Sequence, residues 1–584
     1  MDGSSVMQYD HQVDLLVVGS GAGAMTAALR AAHAGAQVLI VEKAEHYGGT
    51  SATSGGGLWI PCNHLMRDCG IDDSDDEALR YLRALCADDV PDANLRAFVD
   101  GGPRMLRWLC EHSQVRYQAM AYYADYYQHL DGAKPGGRSI DPIAYDAREL
   151  GSDFAQLQAP HIQTRVLGLI GYTNTEGAVL LSKSPGWFGL LLKLLRDYLL
   201  DLPWRLRSLR SRRLTMGNAL IGRLRRSLAD AAVPLWCNSP MRELLTDLGG
   251  VTGAIIECNG RPIRIKARHG VVLGTGGYEF NQALREQHLP SPTRRQWSAA
   301  SPHNTGDGLL AAQAIGAGTA LMDQAWWGPT MVVPGEDRAR MLFTERSMPG
   351  AIVVNRRGER FVNESVAYTT AVQAMLVDDN LPSYLIFDAR YLRDYPFGPL
   401  LPGGMHLNWL QPPKMHRLLK RGASLAALAE QLSIDAYGLQ RSVARFNGFA
   451  RSGVDEDFHR GENPYDRLYG DVRIKPNACL APLSESPYYG IEIYPGDIGT
   501  KGGLRTDEHA RVLRNDGAVI DGLYAIGNCA ASVTGRYYPG AGATLGPAMT
   551  FGFLAAEHAC QQLRRSSSHG PDAQARQAPI HAPD

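Results

Sequence analysis

The order of apolar and polar positions at the start of the chain predicts a strand, a helix and a second strand. Val13 to Val18 (VDLLVV) is an apolar run of strand length, and it leads straight into GSGAGAMTAALRAAHAG, a glycine turn opening an Ala-rich helix. A second apolar run, Gln37 to Val41, ends in Glu42. Strand, turn, helix, strand and acid follow one another within about 30 residues, the span of a dinucleotide-binding unit. Gly19 makes the tight turn, Gly21 lets backbone approach a pyrophosphate, and Ala24 lets the helix sit close on the sheet. The helix N-terminus offers N–H groups and the positive end of its dipole to the phosphates. Glu42 would accept from ribose hydroxyls, and Gly23 and Lys43 belong to the same candidate cofactor-binding stretch.

From Tyr47 the pattern changes to YGGTSATSGGGLWIP, a glycine and hydroxyl run with almost no bulky side chain before Leu58. Its Gly48, Gly49, Thr50, Ser51, Ser54, Gly55 and Gly56 can lie against a flat cofactor and donate backbone N–H groups. No His, Cys or Tyr stands between Gly48 and Trp59 to bond a flavin, so a bound flavin is expected to be noncovalent. Two distant stretches repeat the design of a buried strand ending in glycines. They are Gly270 to Tyr278 (GVVLGTGGY, with Gly276 and Gly277) and Asp521 to Asn528 (DGLYAIGN, with Gly527 and Asn528). The mixed pattern of 281–480 between them reads as an inserted second domain, and a cleft between two domains is a place for a ligand. Trp187 to Arg213 is apolar but interrupted by Lys193, Arg196 and Asp197, too short and too charged to span a bilayer. It reads as an amphipathic helix packed on the protein body or at a dimer interface, or else as a helix lying on an anionic membrane surface. The tail, 566–584, is small and polar and is expected to be disordered.

Composition narrows the function classes. Of the 584 residues 45% are hydrophobic and 20% charged, which implies a packed globular protein of more than one domain. Lys and Arg number 59 against 60 Asp and Glu, so no basic field is available to hold nucleic acid. Nine cysteines without a C-x-x-C pair, and no Cys/His spacing suited to zinc, point to reduced thiols and no metal. The N-terminus lacks a basic segment followed by an apolar one, and a cytoplasmic location is expected.

Taken together, the glycine fingerprint, GGTSATSGGGLWIP, GERFVNES, GTKGGLRTD, DGLYAIGN and YYPGAGATLGPAMTFG resemble the flavoproteins related to fumarate reductase, and within them most of all the 3-ketosteroid dehydrogenases. The resemblance implies an α/β fold with noncovalent FAD. A Rossmann-type FAD-binding domain would be assembled from 1–280 and 481–565, with Thr544 and Leu545 also at the cofactor, and 281–480 would be a catalytic or capping domain. The fumarate-reductase-like branch places an Arg four residues after the Glu of its RFxNE element, where this chain has Tyr368. At that branch's late Arg and His positions stand Tyr538 and Gly499. Lacking guanidinium forks, the pocket suits an uncharged ketone better than a dicarboxylate.

By resemblance, Tyr538 OH and the Gly542 N–H would hold the 3-oxo oxygen of a steroid, Tyr368 would take the proton from carbon 2, and flavin N5 would accept hydride from carbon 1. Tyr126, chosen over Tyr123 and Tyr127, would bond and tune Tyr368. The product would carry a carbon 1–carbon 2 double bond, a step of steroid degradation, with an unidentified electron acceptor such as a quinone. The alternatives are the Δ4-(5α)-dehydrogenation of 3-ketosteroids, an alkene reductase of the fumarate reductase kind, and a flavin-bearing binding protein without turnover.

Overall fold

The computed structural model describes residues 8–181, 185–400, 402–403 and 413–567. Its first sheet has six strands in the order Leu235–Trp236, Val38–Val41, Leu15–Val18, Val271–Leu273, Val519–Ala525 and Arg511–Leu513. All neighbours run parallel except the last pair, and Val17 sits opposite both Ile40 and Val272. The runs Leu15–Val18, Val38–Val41 and Val271–Leu273 are buried throughout, which is why each reads as unbroken apolar sequence rather than as alternation. Helices Ala22–His33 and Leu545–Ser567 pack against each other beside this sheet. Strands far apart in sequence thus meet with their glycine-bearing ends side by side.

The apolar run expected from Val13 divides at Asp14. His11–Val13 leaves the first sheet and pairs with Arg261–Ala267 in a separate four-stranded sheet. The division is held by the Asp14 carboxylate, which accepts from the Gln37 amide at 2.8 Å and pairs with Arg268 at 2.7 Å.

A second, antiparallel sheet runs Arg340–Met341, Ala325–Met331, Tyr488–Thr500, Ser383–Asp388 and Ala351–Val354, with Lys420–Gly422 also on Tyr488–Thr500. The strand Tyr488–Thr500 therefore lies in this sheet, beyond the boundary at 480 expected from the sequence. Its length and pairing tie it to this layer.

In the stretch 187–213 a helix, Trp187–Leu199, is followed by a short one, Leu202–Arg205. Leu194 is buried, but Phe188, Leu192, Leu199, Leu200, Leu202, Leu206 and Leu209 are exposed, Leu206 at 90%. Packing on the protein body accounts for little of that apolar surface. Among the described residues no helix is long and apolar enough to cross a membrane. The helix Leu545–Ser567 includes the first two residues of the expected tail, and 568–584 lie outside the described residues.

Candidate active site

Three phenols meet where the two layers adjoin. Tyr368, the first residue of the helix Tyr368–Met375, places its hydroxyl 2.9 Å from that of Tyr126. The Tyr538 ring stacks on Tyr126 at 5.4 Å and meets Tyr368 edge-on at 5.1 Å. The loop carrying Tyr126 is registered against the Tyr538 loop through main chain. The Tyr126 amide donates to the Pro539 carbonyl at 2.9 Å, and Tyr81 OH donates to the same oxygen at 2.8 Å. Next to Tyr126, buried Asp125 accepts from Trp59 Nε1 and pairs with Arg138, itself paired with Asp73. Of the neighbours weighed against Tyr126, Tyr123 bonds Tyr469 and Tyr127 bonds Thr370.

Gly542 lies beside this cluster with φ +98, and a Cβ there would stand 2.5 Å from the Leu58 carbonyl carbon. Only glycine fits a backbone both left-handed and in such close contact. Burial pushes the Tyr538 phenol up, and hydrogen bonding from Tyr368, Thr544 and the Gly542 amide opposes it. The Gly542 amide thus lies beside the Tyr538 hydroxyl. Burial drives Tyr368 well above the ordinary phenol value, the neighbouring phenols Tyr538, Tyr465 and Tyr123 add to this, and the bond from Tyr126 counters it. A dry pocket of stacked phenols disfavours charge, so any ionised state of Tyr368 depends on the donors around it.

Several members of this site give no clear signal in the sequence. Trp326 meets Tyr538 edge-on at 4.9 Å, and Phe343 meets Tyr368 at 5.3 Å. Tyr465 packs 4.4 Å from Tyr126. Arg346 is 1% exposed and acts electrostatically on Tyr465, Tyr469 and Tyr368, while its Nη groups donate to the carbonyls of Glu364 and Val366. Lys501, wholly buried, lies 4.1 Å over the Trp326 ring and donates to Gly535 O, Thr534 Oγ1 and Tyr537 O. It ties down the strap leading into Tyr538. A charged residue inside the glycine run GTKGG was the available hint.

The candidate cofactor residues lie along one path. Gly19 has φ +102, and a Cβ there would sit 2.3 Å from the Gly274 carbonyl oxygen, joining the turn to the neighbouring strand. Gly21 precedes the helix Ala22–His33 without a side-chain cap, and Ser51 Oγ accepts from the Ala22 amide at 3.1 Å. Gly23 faces the Ala548 carbonyl and Ala24 faces Gly274, so both serve the packing of the helix. Glu42 accepts from Ser20 N, Ser20 Oγ and Ala44 N, and Lys43 pairs with Asp307 at 2.8 Å. Gly48 caps the short helix Gly49–Thr53, and Ser54 follows it. Thr50 Oγ1 accepts from Ser301 N and Asn304 Nδ2. Gly55 adjoins Asn174, Gly56 adjoins Met216, Gly276 adjoins Asn304 and Gly277 adjoins Thr500. Gly527, Asn528 and Thr544 line a small pocket together with Trp326 and Lys501, and Leu545 opens the helix behind it. The helix N-terminus after Gly21 and the close backbone at Gly19, Gly48 and Gly56 fit a dinucleotide flavin.

A model of the FAD binding domain matches residues 14–545. The chain is 41% identical to a 3-oxosteroid 1-dehydrogenase of Mycolicibacterium smegmatis over 93% of this chain and 96% of that protein. It is 37% identical to a 4-oxocyclohexanecarboxylate 2-dehydrogenase of Sinomonas cyclohexanicum, covering 93% of this chain and 92% of that protein. The solved 3-ketosteroid delta1-dehydrogenase of Sterolibacterium denitrificans, in complex with 1,4-androstadiene-3,17-dione, superposes with a TM-score of 0.91 at 47% identity, covering 94% of this chain and 100% of that one. The chain belongs to the flavoprotein family of the FAD binding domain and, within it, to the 3-oxosteroid 1-dehydrogenases.

Proposed function

We propose that this protein introduces the carbon 1–carbon 2 double bond into ring A of 3-oxosteroids, and the convergence of Tyr126, Tyr368 and Tyr538 beside Gly542 is the observation that carries the reading. FAD, held noncovalently along the glycine path, would supply at N5 an acceptor for the hydride that leaves carbon 1. Tyr538 OH and the Gly542 N–H donate to the 3-oxo oxygen. Charge grows on that oxygen as the carbon 2 proton leaves, and one such donor is worth about 10²–10³ in rate, roughly 3–4 kcal/mol. Tyr368 accepts the proton. It must be ionised to do so, against a deficit of about 4 kcal/mol at neutral pH for an ordinary phenol, and burial enlarges that deficit. The Tyr126 hydroxyl and the charge of Arg346 offset part of it.

The layer around Ala325–Met331 and Tyr488–Thr500 acts as the catalytic or capping domain over the flavin domain. A quinone-like molecule would serve as the electron acceptor. The exposed leucines between 188 and 209 support a peripheral contact with an anionic membrane. Anaerobic mixing of the holoenzyme with androst-4-ene-3,17-dione tests the reading, with loss of flavin colour and formation of the 1,4-diene expected. A flavin that stays oxidised overturns it. A 4-ene formed from a 5α-reduced substrate, without any 1,4-diene, moves the assignment to the Δ4-(5α) activity.

A further inference from the structure

Away from the phenols, a small pocket open to solvent is lined by Arg165, Arg210, Arg213 and Asn218 among others. Arg213 is paired with Glu176 at 2.7 Å. The other two guanidiniums have no carboxylate within ion-pair distance among the described residues, and the Nε of each is buried without a partner. Arg210 lies 4.2 Å over the Phe154 ring and donates from its Nη groups to the Phe154 and Leu157 carbonyls, which fixes its plane. Burial holds both below the ordinary guanidinium range, Arg210 at about 10, where the charge of Arg165 adds to the effect. Asn218, 2% exposed, donates to the Ala52 and Gln158 carbonyls and leaves Oδ1 buried and without a partner.

Two half-buried guanidiniums at one pocket with no carboxylate beside them repel each other until an anion enters. The planar fork of Arg suits phosphate oxygens, and the Asn218 Oδ1 acceptor suits a hydroxyl or protonated oxygen beside them. Leu167 and Leu209, close in the chain to these arginines, are 57% and 66% exposed.

We propose that the pocket of Arg165 and Arg210 binds a phosphate oxyanion, presented either by the headgroup of an anionic phospholipid or as free phosphate. The lipid form rests on the membrane contact read above, and the free form does not. The test uses the holoenzyme, its Arg165→Gln and Arg165→Lys variants, and Arg207→Gln as a control for an exposed arginine outside the pocket. Arg165 is the position to vary because, among the described residues, its side chain supports no carbonyl whose loss would disturb the fold.

Two measurements are made: sedimentation with phosphatidylcholine vesicles with and without phosphatidylglycerol, and thermal unfolding in inorganic phosphate against chloride at matched ionic strength. A loose surface charge is worth about fivefold in binding to an anionic membrane. If the site takes a headgroup, Arg165→Gln loses the phosphatidylglycerol preference by more than Arg207→Gln does, and Arg165→Lys restores part of it. If it takes free phosphate, phosphate raises the unfolding temperature of the wild type and of Arg165→Lys but not of Arg165→Gln. Behaviour of Arg165→Gln indistinguishable from the wild type, or from Arg207→Gln, in both measurements overturns the proposal. A wild type that ignores both vesicle types removes the membrane contact, and the phosphate measurement still decides the pocket.

Discussion

Replacing Tyr126 with Phe removes one hydroxyl and leaves the ring in place between Tyr538 and Tyr465. What is lost is the donor 2.9 Å from Tyr368 OH. A hydrogen bond to an ionised partner is worth about 1.5–3 kcal/mol, and one pKa unit corresponds to about 1.36 kcal/mol. The Tyr368 phenol should therefore lie about 1–2 units higher in the variant. On the proposed mechanism Tyr368 works as phenolate, and the rate of flavin reduction then climbs with pH until the phenol has ionised. The variant should show the same climb displaced upward by about 1–2 pH units, and about 10–100-fold slower reduction at neutral pH. Steroid affinity for the oxidised enzyme should stay within about twofold, since the aromatic packing is conserved. Anaerobic stopped-flow reduction across a pH series, with a separate steroid titration, reads both quantities. Equal rates and superimposable pH profiles for variant and wild type would remove Tyr126 from the mechanism.

Three further outcomes follow from the same geometry. Tyr538→Phe should lower kcat/KM by about 10²–10³ and weaken steroid binding, because the 3-oxo oxygen loses a donor; steady-state kinetics with a steroid titration check it. Gly542→Ala, strained at φ +98 and crowding the Leu58 carbonyl carbon, should cost about 1–3 kcal/mol of stability and most of the activity; thermal unfolding beside turnover separates the two effects. Burial, reinforced by Asp497, raises Glu279 from 4.5 to about 7, so the folded protein keeps this proton after the unfolded chain has released it. The contribution, about 3 kcal/mol, is full below about pH 4.5 and lost as pH rises through about 7. Glu279→Gln should flatten the fall in unfolding free energy between those values, as denaturant titrations at several pH values would show.

Much of the flavin side was legible because its chemistry is local. Gly19, Gly21 and the apolar runs around them form one continuous stretch, and the backbone geometry they require is written in the residue types. The phenol cluster was legible only in part. Tyr368 and Tyr538 stand at recognisable motif positions, but the place of Tyr126 depends on its amide meeting the Pro539 carbonyl, a contact across most of the chain that no local pattern encodes. Arg346, Lys501 and Trp326 escaped for the same reason, since a charged or bulky residue becomes part of the site only through long-range packing. The strand Tyr488–Thr500 pairs with Ala325–Met331 and Ser383–Asp388, contacts that no local pattern in the sequence encodes. In 187–213 the sequence left packing, a dimer interface and surface contact open, and the exposure of Leu199, Leu200 and Leu206 leaves an apolar face uncovered.

The account stands or falls on a phenolate at Tyr368 drawing the proton from carbon 2 while phenol and amide hydrogens hold an uncharged ketone. Single-turnover anaerobic reduction of Tyr368→Phe by androst-4-ene-3,17-dione measures this most directly. The expected result is retained FAD, near-normal steroid binding, and flavin reduction slowed by about 10²–10⁴-fold. Reduction of the variant at the wild-type rate would contradict it.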